Sequence, residues 1–334
     1  MTLAASLLAL TACGREPSPP PAPAVDARAV DAVVRAVEAY LASDKPSEAV
    51  FVSEKLAAER PELMRSHEVH GRALVALAMR PDLPSGDRAK VFARAADAYL
   101  RAAALAPGNA ALQHAAGVVC DTAGRHADAV RLYGAAHAAD PSNAQFALYL
   151  GMALARDGKA DEARTLLEAA ERAMPESPDP KAALADLEMR AGHADAARTR
   201  IAQARALNPG SVELRVADAR LRRLAGAPGE SLELLLPLDA PVRRAPMCAE
   251  EIAAAYEARG QLQDAAGILE ESASAEPNDW KRALRSARAW AAAGDPVRAT
   301  IAGDAAALAG APADEVRAAV SGASAPRPAA SPSP

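Results

Sequence analysis

From about residue 26 to residue 320 the apolar residues do not alternate as strand residues would; they return at the steps of a helix face. Leu150, Gly151, Leu154, Ala163, Leu167 and Ala170 show the pattern, separated by steps of 1, 3, 9, 4 and 3 residues, with a break before Ala163. That break is punctuated. Gly124, Gly158, Gly192, Gly226, Gly260 and Gly294 follow one another at intervals of 34 residues. Pro107, Pro141, Pro175, Pro209 and, after one skipped period, Pro277 keep the same register, as do Ala129, Ala163, Ala197, Ser231, Ala265 and Ala299. A glycine between two helical stretches ends the first and opens a tight turn, and a proline after the second forbids its continuation. The pattern predicts helix, turn, helix, turn, with small Gly117 and Gly151 where paired helices approach closely.

These positions resemble the tetratricopeptide repeat family. Its pattern of small, large and proline positions is met in 110–143 by Gly117, Ala129, Tyr133, Ala136 and Pro141, and in 144–177 by Leu150, Gly151, Ala163, Ala170 and Pro175. Repeats 178–211 (Leu184, Ala197, Ala204, Pro209) and 246–279 (Tyr256, Ala265, Leu269, Pro277) match less fully, and 212–245 is degenerate, with Arg243 at the proline position and Pro228 inside the turn. Upstream, 36 residues separate Gly71 from Pro107 against 24 between Gly117 and Pro141, so repeat 64–109 carries an insertion of 12 near 80–88. Its composition, Arg80 to Asp87 with Pro81, Pro84 and Gly86, predicts a loop. A weaker repeat, 26–63, holds Tyr40, Ala49 and Pro61; the last, 280–313, keeps Trp290, Gly294 and Ala299, and a short helix over 313–320 is expected to cap the array. The resemblance implies an all-α fold, a right-handed α-α superhelix of about eight helix-turn-helix repeats over 26–320. The tail 321–334 is mostly Pro, Ala and Ser and is expected to be disordered.

Half of the chain is apolar but only 3% is aromatic, which favours many close-packed helices over a thick core. A net charge of −5 with scattered Lys and Arg argues against nucleic-acid binding. Ahead of the repeats, Leu3 to Ala12 form an apolar run too short to span a bilayer. Its end, Leu10-Thr11-Ala12-Cys13, resembles the lipobox of bacterial lipoproteins, which implies a signal peptide over 1–12 and acylation of Cys13. Gly14 after that cysteine implies sorting to the outer membrane, facing the periplasm. Residues 13–25 read as a Pro/Ala-rich tether, whose stretch from Glu16 to Ala24 reaches on the order of 25 Å as a polyproline spacer. A lipid anchor in a membrane is thus one expected partner.

Candidate chemistry is sparse. His67-Glu68-Val69-His70 places its histidines three residues apart, whereas the zinc-protease helix needs four with the glutamate beside the first; both histidines fall on the packing face. His126 and His193 lie in turns and are expected to be solvated. Cys120 takes a buried apolar position. No catalytic residue, metal or cofactor is expected, and the chain reads as no enzyme. The resemblance implies a concave groove lined by the first helix of each repeat, here His114, Val118, Gln145, Leu148, Tyr149, Met152 and Met189, followed by a charged half with Asp186, Arg220, Arg223, Glu250, Glu257, Lys281, Arg285 and Arg288. Such a strip suits a protein or peptide ligand. The expected role is a non-catalytic envelope scaffold assisting a membrane, secretion, pilus or polysaccharide-export complex. A cytoplasmic adaptor or regulator, and a metal-dependent hydrolase using His67 and His70, stand as the alternatives.

Overall fold

The structure, a computed structural model, describes residues 27–80 and 82–321. The expected signal over 1–12, the expected tether over 13–25 and Cys13, together with 322–334, lie outside the described residues. Everything described is helix and connection, without a strand. The helices pair along the chain: α1 (Ala27–Ala42) with α2 (Pro46–Glu59), α3 (Met64–Ala78) with α4 (Ser85–Leu105), α5 (Ala110–Thr122) with α6 (His126–Ala139), and α7 (Ala144–Arg156) with α8 (Ala160–Ala173). Then come α9 (Pro178–Arg190) with α10 (Ala194–Leu207), α11 (Val212–Leu224) with α12 (Pro228–Leu235), and a five-residue α13 (Ala240–Arg244). The array ends with α14 (Pro246–Ala258) and α15 (Leu262–Ala275), α16 (Trp280–Ala292) and α17 (Pro296–Leu308), and α18 (Ala313–Val320) laid across α16 and α17.

The 34-residue glycines are the hinges of these pairs. Gly158 has φ +81°, its amide donates to Ala155 O at 3.4 Å, and the Lys159 amide donates to Leu154 O at 3.0 Å. These two hydrogen bonds satisfy carbonyls that the end of α7 would otherwise leave open. In the first pair Asp44 takes the same left-handed place at φ 53°, and the Lys45 amide reaches Tyr40 O at 2.9 Å. Inside the pairs the small residues admit a neighbour. A Cβ on Gly117 would lie 2.6 Å from the Tyr133 ring, and one on Gly151 would lie 2.8 Å from Leu167 Cγ.

A further series, unused in the sequence reading, starts the first helices. The side chains of Asn109, Asn143, Ser177, Ser211 and Asp279 each accept an amide hydrogen of the helix that follows. They stand 34 residues apart except where Ala245 falls in the register. Such caps hold amides that have no partner within the helix.

Two stretches differ from the sequence expectation. The insertion is a loop only to Pro84, because α4 begins at Ser85 and runs 21 residues, seven more than α6 or α8. Pro84 sits ahead of the first turn, and Arg88 Nη2 donates to Arg80 O and Leu83 O at 3.1 Å, folding the loop onto the helix start. In 212–245 the second helix is broken rather than merely weak. Pro237 has no amide to continue α12, and Arg243, at the missing proline's place, donates to the carbonyls of Leu236 and Leu238 left beyond its end.

The core runs lengthwise. Its largest cluster runs from Val30 to Tyr133, with Ala153 of α7, and takes in Leu74, Tyr99 and Leu132. Beyond it the apolar packing divides into smaller clusters, around Leu167 and Leu184, Ile201 and Leu214, Leu235 and Ile252, Leu269 and Trp290, and Leu284 and Ala306. In that second half three buried carboxylates, Glu188, Asp218 and Glu251, join neighbouring pairs through arginines.

Candidate functional site

Successive first helices touch directly, α7 with α9, α9 with α11 and α11 with α14, while each second helix packs mainly on the first helix before and after it. The first helices therefore form the inner face of the curve. On that face α7, α9 and α11 enclose a cleft of about 710 Å³, bordered at one end by Asp121 of α5. Its size is that of a site for a few ligand side chains.

Because these three helices run in the same direction, the cleft has two different ends. Asp179 and Glu213, in the first turns of α9 and α11, lie with Asn208 and Ser211 at the N-terminal end. The middle is apolar: Leu148, Met152, Ala182, Ala183, Leu214 and Ala217. At the C-terminal end the charges are already matched, Arg156 to Asp121 at 2.6 Å and Arg190 to Asp186 at 2.8 Å. Among the described residues no basic side chain pairs with Asp179 or Glu213. The Ser211 hydroxyl donates to Glu213 at 2.7 Å and, with the Glu213 backbone amide, holds that carboxyl below its ordinary range.

One wall is stiffened by rings. Tyr149, which faces the cleft, meets His114 edge-on at 4.6 Å between centroids and Tyr133 at 5.6 Å, and His114 also lies 5.2 Å from Phe146. His114 is half-buried, its Nδ1 has no hydrogen-bond partner, and burial lowers its pKa. It is part of the wall and not of the lining.

Of the residues expected in the groove, Leu148, Tyr149, Met152 and Asp186 line this cleft together. Met152 is 42% exposed, while Leu148 shows only an edge. His114, Val118, Gln145 and Met189 are not part of its lining: Val118 packs on the large N-terminal core, Met189 on the cluster around Ile201, and Gln145 is exposed in the first turn of α7. Arg220 and Arg223 are not lining residues either. Both clasp Glu251, Arg220 at 3.4 Å and Arg223 through two bonds of 2.6 and 3.1 Å, and Glu251 is only 3% exposed. The charged half is likewise paired within itself, Arg285 with Glu250 and Glu257 and Arg288 with Glu315. Spacing along the chain signalled which helix face these residues share, but not which carboxylate each arginine would meet. Asp179, Glu213 and Leu214 escaped the sequence reading. First-turn positions read as helix starts, and only the stacking of α9 beside α11 turns them into a rim.

The histidines of α3 have separate partners. His67 is buried and its Nε2–H donates to Pro61 O at 2.9 Å, whereas His70 Nδ1 meets Ser53 Oγ at 3.1 Å. Burial lowers the His70 pKa, and in the hollow beside both rings Arg94 and Arg101 stand with Glu54, which Arg94 binds at 2.9 Å, and with Asp97, which Arg125 binds at 2.6 Å. No cluster of three or more His, Cys, Asp or Glu that could hold a metal occurs among the described residues. His126 and His193 are exposed but tied rather than merely solvated, each 2.8 Å from a carboxylate, Asp121 and Glu188. Cys120 and Cys248 are buried free thiols, and burial pushes the Cys120 pKa up to about 11, far from a nucleophile's range.

Paired helices, an inner face of first helices and a cleft open on that face define a helical-repeat interaction scaffold. The fold is an all-α superhelix of tetratricopeptide type. Consistent with this, the Tetratricopeptide repeat family model matches residues 122–187 and 154–222. Among solved structures the chain is similar to PilW, a widely conserved type IV pilus biogenesis factor, with TM-score 0.52, 17% identity, and cover of 66% of this chain and 97% of that one. It is similar also to a tetratricopeptide repeat protein from Parabacteroides merdae (TM-score 0.50, 16% identity, 75% of this chain and 97% of that one). A third is a thermophilic protein of the same repeat type from Thermus thermophilus (TM-score 0.50, 18% identity, 54% of this chain and 98% of that one). At such identities the likeness is one of fold. No curated protein matches the chain.

Proposed function

We propose that this protein is a non-catalytic scaffold that seats a segment of a partner protein in the cleft between α7, α9 and α11. The observation that carries the reading is the apolar middle of that cleft, where Met152 stands exposed beside Tyr149 on the inner face of the array. Apolar surface left open in a concave site is stabilised by burial against a ligand. The absence of chemistry in the reading rests on occupied groups: both described thiols are buried and the histidines of α3 are bonded to backbone and hydroxyl.

The setting we propose is the bacterial envelope, with the array tethered through lipid on Cys13 and sorted to the outer membrane, serving the assembly of a membrane, secretion, pilus or polysaccharide-export complex. Its support is the Leu10-Thr11-Ala12-Cys13 motif, with Gly14 and the proline-rich stretch that follows. The fold shared with PilW is compatible with it.

Two measurements test the parts separately. Affinity capture from detergent-solubilised envelopes is expected to lose its partner when Tyr149 and Met152 are both changed to Glu; recovery equal to wild type defeats the cleft. Palmitate labelling is expected in wild type and not in Cys13→Ala. Equal labelling of both defeats Cys13 as the anchor, and labelling of neither, with the protein in the soluble fraction, favours the cytoplasmic adaptor instead.

A further inference from the structure

The two ends of the cleft say more about its ligand than its apolar middle does. Arg156 and Arg190 are each satisfied by a carboxylate of the array, so a ligand acid meets no free cation there. Asp179 and Glu213 are acidic side chains without a basic partner among the described residues, and they sit on one rim rather than scattered. Asp179 lies four residues before Ala183 on α9, and Glu213 lies four before Ala217 on α11, so about 6 Å, a little over one helical turn, separates each acid from the apolar floor. The N-terminal ends of α9 and α11 stabilise the acids in place, and Ser211 orients one of them. Four carboxylates against two guanidinium groups leave the lining with an excess of negative charge, all of it at the open rim.

Resting on the reading of the cleft as a partner site, we infer that its occupant is a basic segment of another protein, with an apolar side chain on the floor and a Lys or Arg about one helical turn away against Asp179 and Glu213. The apolar residue supplies contact with Met152, Leu148 and Leu214. The cation sets direction along the cleft, because only one rim carries unmatched charge. An acidic segment is disfavoured at that rim and gains nothing at the other. Exposed charge pairs of this kind weaken as salt rises.

The test uses the full chain and a phage-displayed library of random decapeptides. Peptides selected on wild type at low salt are expected to hold Lys or Arg beside Leu, Phe or Met at least about threefold above the starting library. Their binding should fall at least fivefold in Tyr149→Glu/Met152→Glu. On Asp179→Asn/Glu213→Gln the basic enrichment should vanish while the apolar one persists, and the salt dependence of binding should flatten. Selected peptides that depend on Tyr149 and Met152 but are neutral or acidic overturn the charge inference and leave the cleft standing. Selected peptides indifferent to Tyr149 and Met152 overturn both. Circular dichroism of each variant, matched to wild type, separates lost binding from lost folding.

Discussion

Gly117 and Gly158 are small for different reasons, and substitution separates them. At Gly117 the backbone is ordinary helix and the obstacle is a ring: a new methyl would stand 2.6 Å from Tyr133, which is itself fully buried. Gly117→Ala is expected to destabilise by about 1–3 kcal/mol through forced repacking, and Gly117→Ala with Tyr133→Phe is not expected to recover it, since the clash is with the ring edge. At Gly158 there is open space but a left-handed backbone. Gly158→Ala is expected to cost about 1 kcal/mol, seen as a lower urea midpoint with faster hydrogen exchange confined to α7 and α8. Both roles are legible in the sequence, that of Gly158 from the 34-residue interval and that of Gly117 from a small residue where paired helices approach closely. The partner ring was not, because chain spacing does not say which rotamer fills the gap.

At the scale of elements, the first half of the array is joined by apolar packing and the second half adds buried ion pairs. Arg164 of α8 donates to Glu188 of α9 at 2.5 Å, and His193 bonds the other oxygen at 2.8 Å. The Arg164 guanidinium holds the Glu188 carboxyl below its ordinary range, with burial opposing and His193 assisting. A lowered folded pKa means that the stabilisation is complete above the unfolded value of about 4.3 and is lost as pH falls through the folded value. Glu188→Gln is therefore expected to melt lower than wild type at pH 7, by an amount that corresponds to about 1–3 kcal/mol. The gap should close as pH falls below about 4; a gap unchanged at pH 3 sinks the assignment. Sequence periodicity placed these helices but not their joints, because an acid on a helix that also carries polar residues reads as solvent-facing until a neighbouring arginine is seen to cover it. The same limit explains α4, whose extra turns were hidden behind Pro84 and Gly86: a start signal and a loop signal use the same residues.

For the whole molecule the array is one-dimensional, each pair leaning on the next, so an end needs a cover. That cover is α18, whose Val320 lies where a Cβ on Gly303 would come within 2.5 Å, and which encloses Ala283, Leu284, Ala287 and Ala306 with Ala319. A chain ending at Leu308 is expected to show at least tenfold faster hydrogen exchange in α16 and α17, with α5 to α8 unchanged. Exchange raised evenly along the array would mean that the pairs unfold as one unit rather than in sequence.

The sequence by itself determined the helix pairs, their turns and the face on which first helices carry their larger side chains, since these depend on local backbone preference and on periods of a few residues. Only the tertiary structure decided that Arg220 and Arg223 are spent on Glu251 and that Leu148, Tyr149, Met152 and Asp186 meet Asp179, Glu213 and Leu214 across one cleft. Between helices, those meetings join residues 27 to 66 positions apart. They follow from how steeply each pair is rotated on the one before it, a sum of side-chain volumes at every joint that no single repeat records.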